Sequence, residues 1–280
     1  MPTFRINTLA LWPLLLLSAC SGSGSSSSTV TPDIGATTLS CADSATYPLT
    51  TGMLLNNMWG KASAGAGPWQ QCLQTRQKDG RTDYGWFWQW PTRDGLYAYP
   101  EILVGRSPWT ATPTNDPRFP RTLADTQSLL IEYDVESRSE GKKNLAVEFW
   151  FTDSALAAGT PDTTAIKTEL MIWSDYSAGM VSATDIPVAV VQIDGQAWSV
   201  YVKHNWGDAS GTATTKWDLI SYLATSPAVS VKYDARKFFQ DALDRGLVLP
   251  SYVIAGVELG NEISSGSGST WVKKFNVTTP

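Results

Sequence analysis

Asn144 to Thr152 reads NLAVEFWFT, and Lys167 to Trp173 reads KTELMIW. Side chains on a strand alternate between two faces, so Val147, Phe149 and Phe151 share one side and Ala146, Glu148 and Trp150 the other. In the second stretch Leu170 and Ile172 oppose Glu169, Met171 and Trp173. Each segment therefore has a mainly apolar face and a face of acids among Trp and Met. The apolar faces belong in a core. The acid-and-aromatic faces are unlike a merely solvated surface, which would favour Lys, Thr and Ser.

The same reading extends outward. Ser128–Ser137, Ile186–Ile193, Ala197–Lys203, Val229–Tyr233 and Tyr252–Leu259 are runs of β-branched and aromatic residues and are predicted strands. Asp194-Gly195 between two of them signals a two-residue hairpin turn. A single helix is predicted over Ala235–Arg245, with Asp234 as its cap and Gly246 as its stop. Near the C-terminus Glu258, Gly260 and Glu262 alternate against Val257 and Leu259. Many strands, one helix and no βαβ alternation place the chain in the all-β class, as a β-sandwich or jelly roll.

Composition narrows the chemistry. The 280 residues carry 21 basic and 26 acidic side chains, a net charge of −5, with no Lys/Arg run, so nucleic acid is excluded as a partner. His204 is the one histidine, which removes His-rich metal sites and most Ser-His-Asp arrangements. No metal or other cofactor is implied. Thirteen Trp in a chain only 17% charged suit a flat, uncharged ligand. Indole faces give affinity for the C–H side of sugar rings without charge. Two carboxyls on such a face meet the needs of glycosidic bond cleavage, one protonating the leaving oxygen and one attacking or activating water.

The N-terminus sets the expected compartment. Arg5 precedes an apolar run, Leu9–Leu17, that is too short to span a bilayer and has the layout of a secretory signal. Leu17-Ser18-Ala19-Cys20 resembles a bacterial lipobox, which implies residues 1–19 as the signal, lipidation of Cys20 and a membrane anchor in the cell envelope. Residues 20–40 then hold the lipidated Cys and a Ser/Gly-rich tether, and 41–280 form the folded domain, expected to be monomeric. Cys41 and Cys72 remain as an even pair and read most simply as a disulfide outside the cytoplasm. The alternative, a reactive thiol, lacks a supporting base nearby.

Three motifs then coincide. Asn56-Asn57-Met58-Trp59-Gly60, Glu169-Leu170-Met171-Ile172-Trp173 and Gly260-Asn261-Glu262 follow in the order and rough spacing of glycoside hydrolase family 12. Tyr84–Pro91 (YGWFWQWP), Tyr99-Pro100-Glu101-Ile102, Pro108-Trp109 and the hairpin around Asp194-Gly195 also resemble that family. The resemblance implies a jelly roll with a concave substrate groove and one helix, and an endo-acting, retaining endoglucanase or xyloglucanase. It implies Glu169 as nucleophile, Glu262 as acid and then base, and Glu148 as the third acid, where many members have Asp. It implies sugar contacts from Asn57, Trp59, Met171, Trp173 and Asn205, and from Trp88 or Trp90, at least one face of whose run is expected in the groove. Three close carboxyls cannot all ionise cheaply, so a shared proton and a bell-shaped pH profile with an acidic optimum are expected. The rival from another class is a surface lipoprotein that binds glycan without cutting it; it shares the anchor and the Trp content but has no need of Glu169 and Glu262.

Overall fold

The computed structural model describes Asp33 and residues 35–280, apart from 112, 113, 115, 209, 210 and 212. Cys20, the leader and most of the tether lie outside the described residues. Two sheets stack face to face. The outer one has six strands in the order β1 (Thr37–Ser40), β4 (Gln70–Lys78), β5 (Arg81–Gln89), β17 (Ser267–Thr278), β8 (Leu130–Glu140), β14 (Ser230–Asp234). The other sheet runs β11 (Ala189–Ile193), β12 (Gln196–Gly207), β13 (Lys216–Ala224), β10 (Ile166–Tyr176), β9 (Asn144–Thr152), β16 (Gly256–Gly260), β6 (Glu101–Gly105), β3 (Met53–Leu55), β2 (Thr46–Pro48). The short strands β7 (Arg121–Thr122) and β15 (Val253–Ile254) attach beside β9. Within the larger sheet β10 and β13 pair parallel, while its other neighbours run antiparallel.

The alternation read from sequence decides which side of the larger sheet faces the core. Val147, Phe149, Phe151, Leu170 and Ile172 are buried between the sheets with Val257 and Leu259. Glu148, Trp150, Glu169, Met171 and Glu258 project from the opposite face. The helix α1 (Ala235–Asp244) lays Phe238 and Phe239 into the same core, and Phe239 meets Phe149 and Phe151 edge-on. Asp234 caps it, its carboxylate accepting from the Arg236 N–H at 3.0 Å. Asp194 and Gly195 both adopt positive φ between β11 and β12, the conformation a two-residue hairpin requires. Cys41 and Cys72 are joined in a disulfide that ties the segment after β1 to β4.

Several expectations are corrected. The strand expected from Ile186 starts at Ala189, because Pro187 has no N–H to give a ladder. The run 252–259 is broken at Ala255, whose N–H bonds Trp150 while its carbonyl accepts from Arg106. Trp88 and Trp90 are not in a groove: they are 0% and 3% exposed and sit in the core between the sheets. Trp88 is in β5 of the outer sheet, and Trp90 follows directly after that strand. Trp88 lies across Gly268 of β17, where a Cβ would meet its indole at 2.2 Å. Trp90 is stacked between Trp69 and Tyr97, with centroids at 4.6 and 5.3 Å, and its N–H donates to Gln71 Oε1.

Candidate active site

The outward face of the larger sheet carries a row of glutamates on four adjoining strands. Register places Glu101 of β6 opposite Gly260, and Glu258 of β16 opposite Glu148 of β9. Glu148 in turn stands opposite Met171, and Glu169 opposite Trp150, across the β9–β10 pair. Glu262 follows β16. A cavity of about 300 Å³ opens over this row. Glu148, Glu169, Glu258 and Glu262 line it, together with Asn57, Trp59, Tyr99, Trp109, Trp150, Met171, Trp206 and Trp217.

Glu169 is held from two sides. Trp217 Nε1 donates to its Oε2 at 2.7 Å, and the Glu148 carboxyl lies within hydrogen-bonding reach. Both contacts favour the ionised form. Glu262 is held by Asn144, the first residue of β9: Nδ2 donates to Glu262 Oε2 at 3.1 Å, and Oδ1 accepts from the Glu262 N–H at 2.7 Å. Asn261 beneath it accepts from Trp86 Nε1 and Thr270 Oγ1 and so pins this corner to the outer sheet.

Burial dominates the electrostatics. It pushes Glu169 up to about 8, with the Glu262 charge adding to the rise and the Trp217 N–H opposing it. Burial lifts Glu262 to about 7 against the Asn144 donor and the Lys203 charge. Glu258 rises to about 7 for the same first reason. Glu148, walled in by the other acids as well as buried, goes well above the ordinary carboxylate range. A cluster of this kind retains protons at neutral pH and can both donate one and present a carboxylate.

Among the contacts expected from sequence, Asn57, Trp59 and Met171 border the cavity. Trp173 shares the face but lies outside the cavity wall, its N–H on the Met171 sulfur at 3.4 Å. Asn205 is exposed and does not border the cavity; it occupies a positive-φ position where the β12 register slips, and this bulge turns the following Trp206 and Gly207 toward the cavity instead. His204 is exposed as well, with Nδ1 3.0 Å from Asp218 Oδ1. Sequence reasoning assigned Trp109 and Trp150 no role in the site and did not bring out Trp217; the three meet edge-to-face with centroids 5.5–5.8 Å apart beside Glu169. Trp150 was readable, since it alternates with Glu148. Trp217 was not, because its strand was missing from the reading. Among the described residues no cluster of His, Cys, Asp and Glu is arranged to hold a metal ion.

The family model for glycosyl hydrolase family 12 matches residues 52–279. The chain belongs to that family. As a family 12 glycoside hydrolase it is 25% identical over 228 residues to a probable xyloglucan-specific endo-β-1,4-glucanase A of Aspergillus terreus, a match over 79% of this chain and 80% of the relative. Its fold is shared with the family 12 xyloglucanase from Bacillus licheniformis (TM-score 0.73, 24% identity, 86% of this chain and 99% of the other). An endoglucanase from Rhodothermus marinus superposes with a TM-score of 0.66 at 23% identity, covering 86% of this chain and 98% of that one. These neighbours establish the two-sheet jelly roll for this family 12 chain.

Proposed function

We propose that the protein is an endo-acting, retaining hydrolase of β-1,4-glucan chains of the cellulose, mixed-linkage or xyloglucan type. The observation that carries this reading is that Glu169 and Glu262 line one Trp-walled cavity, with Glu169 held by Trp217 and Glu148 and Glu262 by Asn144. Glu169 receives donors that favour its carboxylate. Burial raises Glu262 to about 7 and Glu169 to about 8, so the reacting form is the one with its proton on Glu262 and its charge on Glu169. In the first step Glu169 attacks the anomeric carbon while Glu262 gives its proton to the departing glycosidic oxygen, leaving a glycosyl ester on Glu169. In the second, Glu262 takes a proton from water as that water attacks the same carbon, and the ester breaks with the configuration restored. Glu148 stays protonated beside Glu169 and donates to it while it is charged. Trp59 and the Trp109–Trp150–Trp217 cluster offer apolar faces for sugar rings. The relatives named above, a probable xyloglucan-specific enzyme and an endoglucanase among them, support a glucan backbone as substrate.

The deciding experiment is an NMR record of the first-formed anomer on carboxymethyl-cellulose, mixed-linkage glucan and xyloglucan. Appearance of the β-anomer is expected; an α-anomer as the first product would end the double-displacement assignment. The site of action is proposed to be the cell envelope, through lipid on Cys20. Palmitate labelling that survives Cys20→Ser would overturn that part.

A further inference from the structure

Glu101 and Glu258 form a second carboxyl pair in the floor of the groove, outside the residues assigned to bond cleavage. They are 1% and 3% exposed and lie within hydrogen-bonding reach of each other. Their four oxygens divide evenly. Glu101 Oε1 accepts from Asn57 Nδ2 at 3.3 Å, and Glu258 Oε2 accepts from Trp150 Nε1 at 3.3 Å. Glu101 Oε2 and Glu258 Oε1 are buried without a partner. A buried oxygen left unpaired costs about 1–3 kcal/mol. One proton between the two free oxygens satisfies both. A second proton would have to lie on an oxygen that already receives an N–H, and with no proton two sets of lone pairs would face each other.

The surroundings decide where that proton resides. Glu258 borders the cavity and has the Ser107 hydroxyl within reach as well as the Trp150 N–H. Glu101 is away from the cavity wall and has Asn57 as its donor. Glu258 is therefore the better carboxylate and Glu101 the better acid. Glu258 is also directly opposite Glu148, which has Glu169 on its other flank.

We propose that Glu101 donates one proton to Glu258 across the gap between their free oxygens, so that Glu258 stands as a carboxylate that keeps Glu148 protonated beside Glu169. The row across β16, β9 and β10 then alternates: ionised Glu258, neutral Glu148, ionised Glu169. Adjacent carboxyls in a water-poor wall avoid like charges side by side, and each charge holds the proton on its neighbour. Glu101 and Glu258 are positioning residues in this scheme, acting on the reaction through Glu148. The other groups facing Glu148 are Glu101, Glu262 and the buried Tyr99, whose hydroxyl is committed to the carbonyls of Ala146 and Glu258. None of them supplies a positive charge to replace the role given to Glu258.

This inference rests on the catalytic reading of Glu169, Glu148 and Glu262, and its test separates the two. In Glu101→Gln an amide N–H stands in for the shared proton and the charge on Glu258 remains. In the double variant Glu101→Gln/Glu258→Gln the charge is gone while an amide pair can still bond across the gap. The pH dependence of kcat/KM on soluble β-glucan is expected to keep its alkaline limb, set by Glu169 as the higher of the two groups, in the single variant. In the double variant the limb moves down by about one pH unit, because Glu169 loses a negative neighbour at close range. An unmoved limb in the double variant, or an equal shift in the single, overturns the proposal. Wild-type protein that releases no sugar would instead end the catalytic reading, and the pair is then judged by carbon-13 NMR of glutamate side chains in the unsubstituted protein. Glu258 is expected to ionise while Glu101 keeps its proton through pH 9; ionisation of both in one step, or of Glu101 first, overturns it. That measurement also decides the matter if the double variant does not fold.

Discussion

The indole N–H of Trp217 meets Glu169 Oε2 at 2.7 Å, and its ring packs edge-on against Trp109 and Trp150. A hydrogen bond to a charged group is worth about 1.5–3 kcal/mol, and each 1.4 kcal/mol corresponds to about one pKa unit. Trp217→Phe keeps an aromatic ring and removes the donor. Glu169 then ionises at higher pH, and because Glu169 stands near 8 and Glu262 near 7 the alkaline limb of kcat/KM should rise by about one unit with the acid limb in place; a limb that stays put would show that the donor does not act on the nucleophile. Glu169→Gln removes the attacking oxygen itself and should cost about 10³-fold or more in kcat, read from reducing-sugar release by a protein shown to be folded. The pH profile as a whole belongs to this scale. With Glu262 raised to about 7 and Glu169 to about 8, the bell should stand near neutrality, higher than the acidic optimum expected from sequence. A rate still climbing above pH 9 would contradict a proton donor of this kind.

At the scale of elements, the parts legible in sequence were those with a strict period or a local cap. Asn144–Thr152 alternates without a break and is β9 as read; Ala235–Asp244 begins at the Asp234 cap as read. Strands β4 and β17 escaped because Gln, Ser, Thr and Lys make up much of them, and β17 pairs only with strands distant in sequence; β13 (KWDLISYLA) escaped because it has no strict alternation. Period also says which residues share a face and not which sheet they join, and this is why Trp88 and Trp90 were misplaced: the aromatic face of β5 points inward from the outer sheet. Glu258 was visible on the acid face of its strand, but its contact with Glu101 depends on β6 lying beside β16, which only the fold supplies. The Asp234 cap offers a direct test at this scale. Its carboxylate accepts from the backbone N–H groups of Leu129 and Arg236 and from Ser128 Oγ, so it ties β8 to α1 as well as closing the helix end. Asp234→Ala should lower stability in urea by about 1–2 kcal/mol, with catalytic constants unaltered at low temperature because the cavity is on the other face of the sheet.

For the whole molecule, the row of buried acids couples the groove to stability. A carboxyl whose folded pKa lies above its unfolded value near 4.5 binds its proton more tightly when folded. Its contribution is complete below that unfolded value and is lost as pH rises through the folded one. Glu169, Glu258 and Glu262 place this loss between about 4.5 and 8. The opposite case is on the outer sheet. Arg76 and Lys78 bond Glu136 and pull it down to about 2, so its contribution is present above 4.5 and disappears as pH falls toward 2. The two trends cross, and the melting temperature should pass through a maximum near pH 4.5–5 and decline steadily to pH 8. The maximum lies below the expected activity optimum, as it must if the same buried acids that serve the reaction also strain the folded state when they ionise. Calorimetric scans across pH 3–9 test this, and the double variant Glu101→Gln/Glu258→Gln should flatten the decline on the alkaline side. A melting temperature that climbs from pH 5 to 8 would mean that these carboxyls are solvated in solution, and with that the wall over Glu148 and Glu169 would lose its capacity to hold a proton.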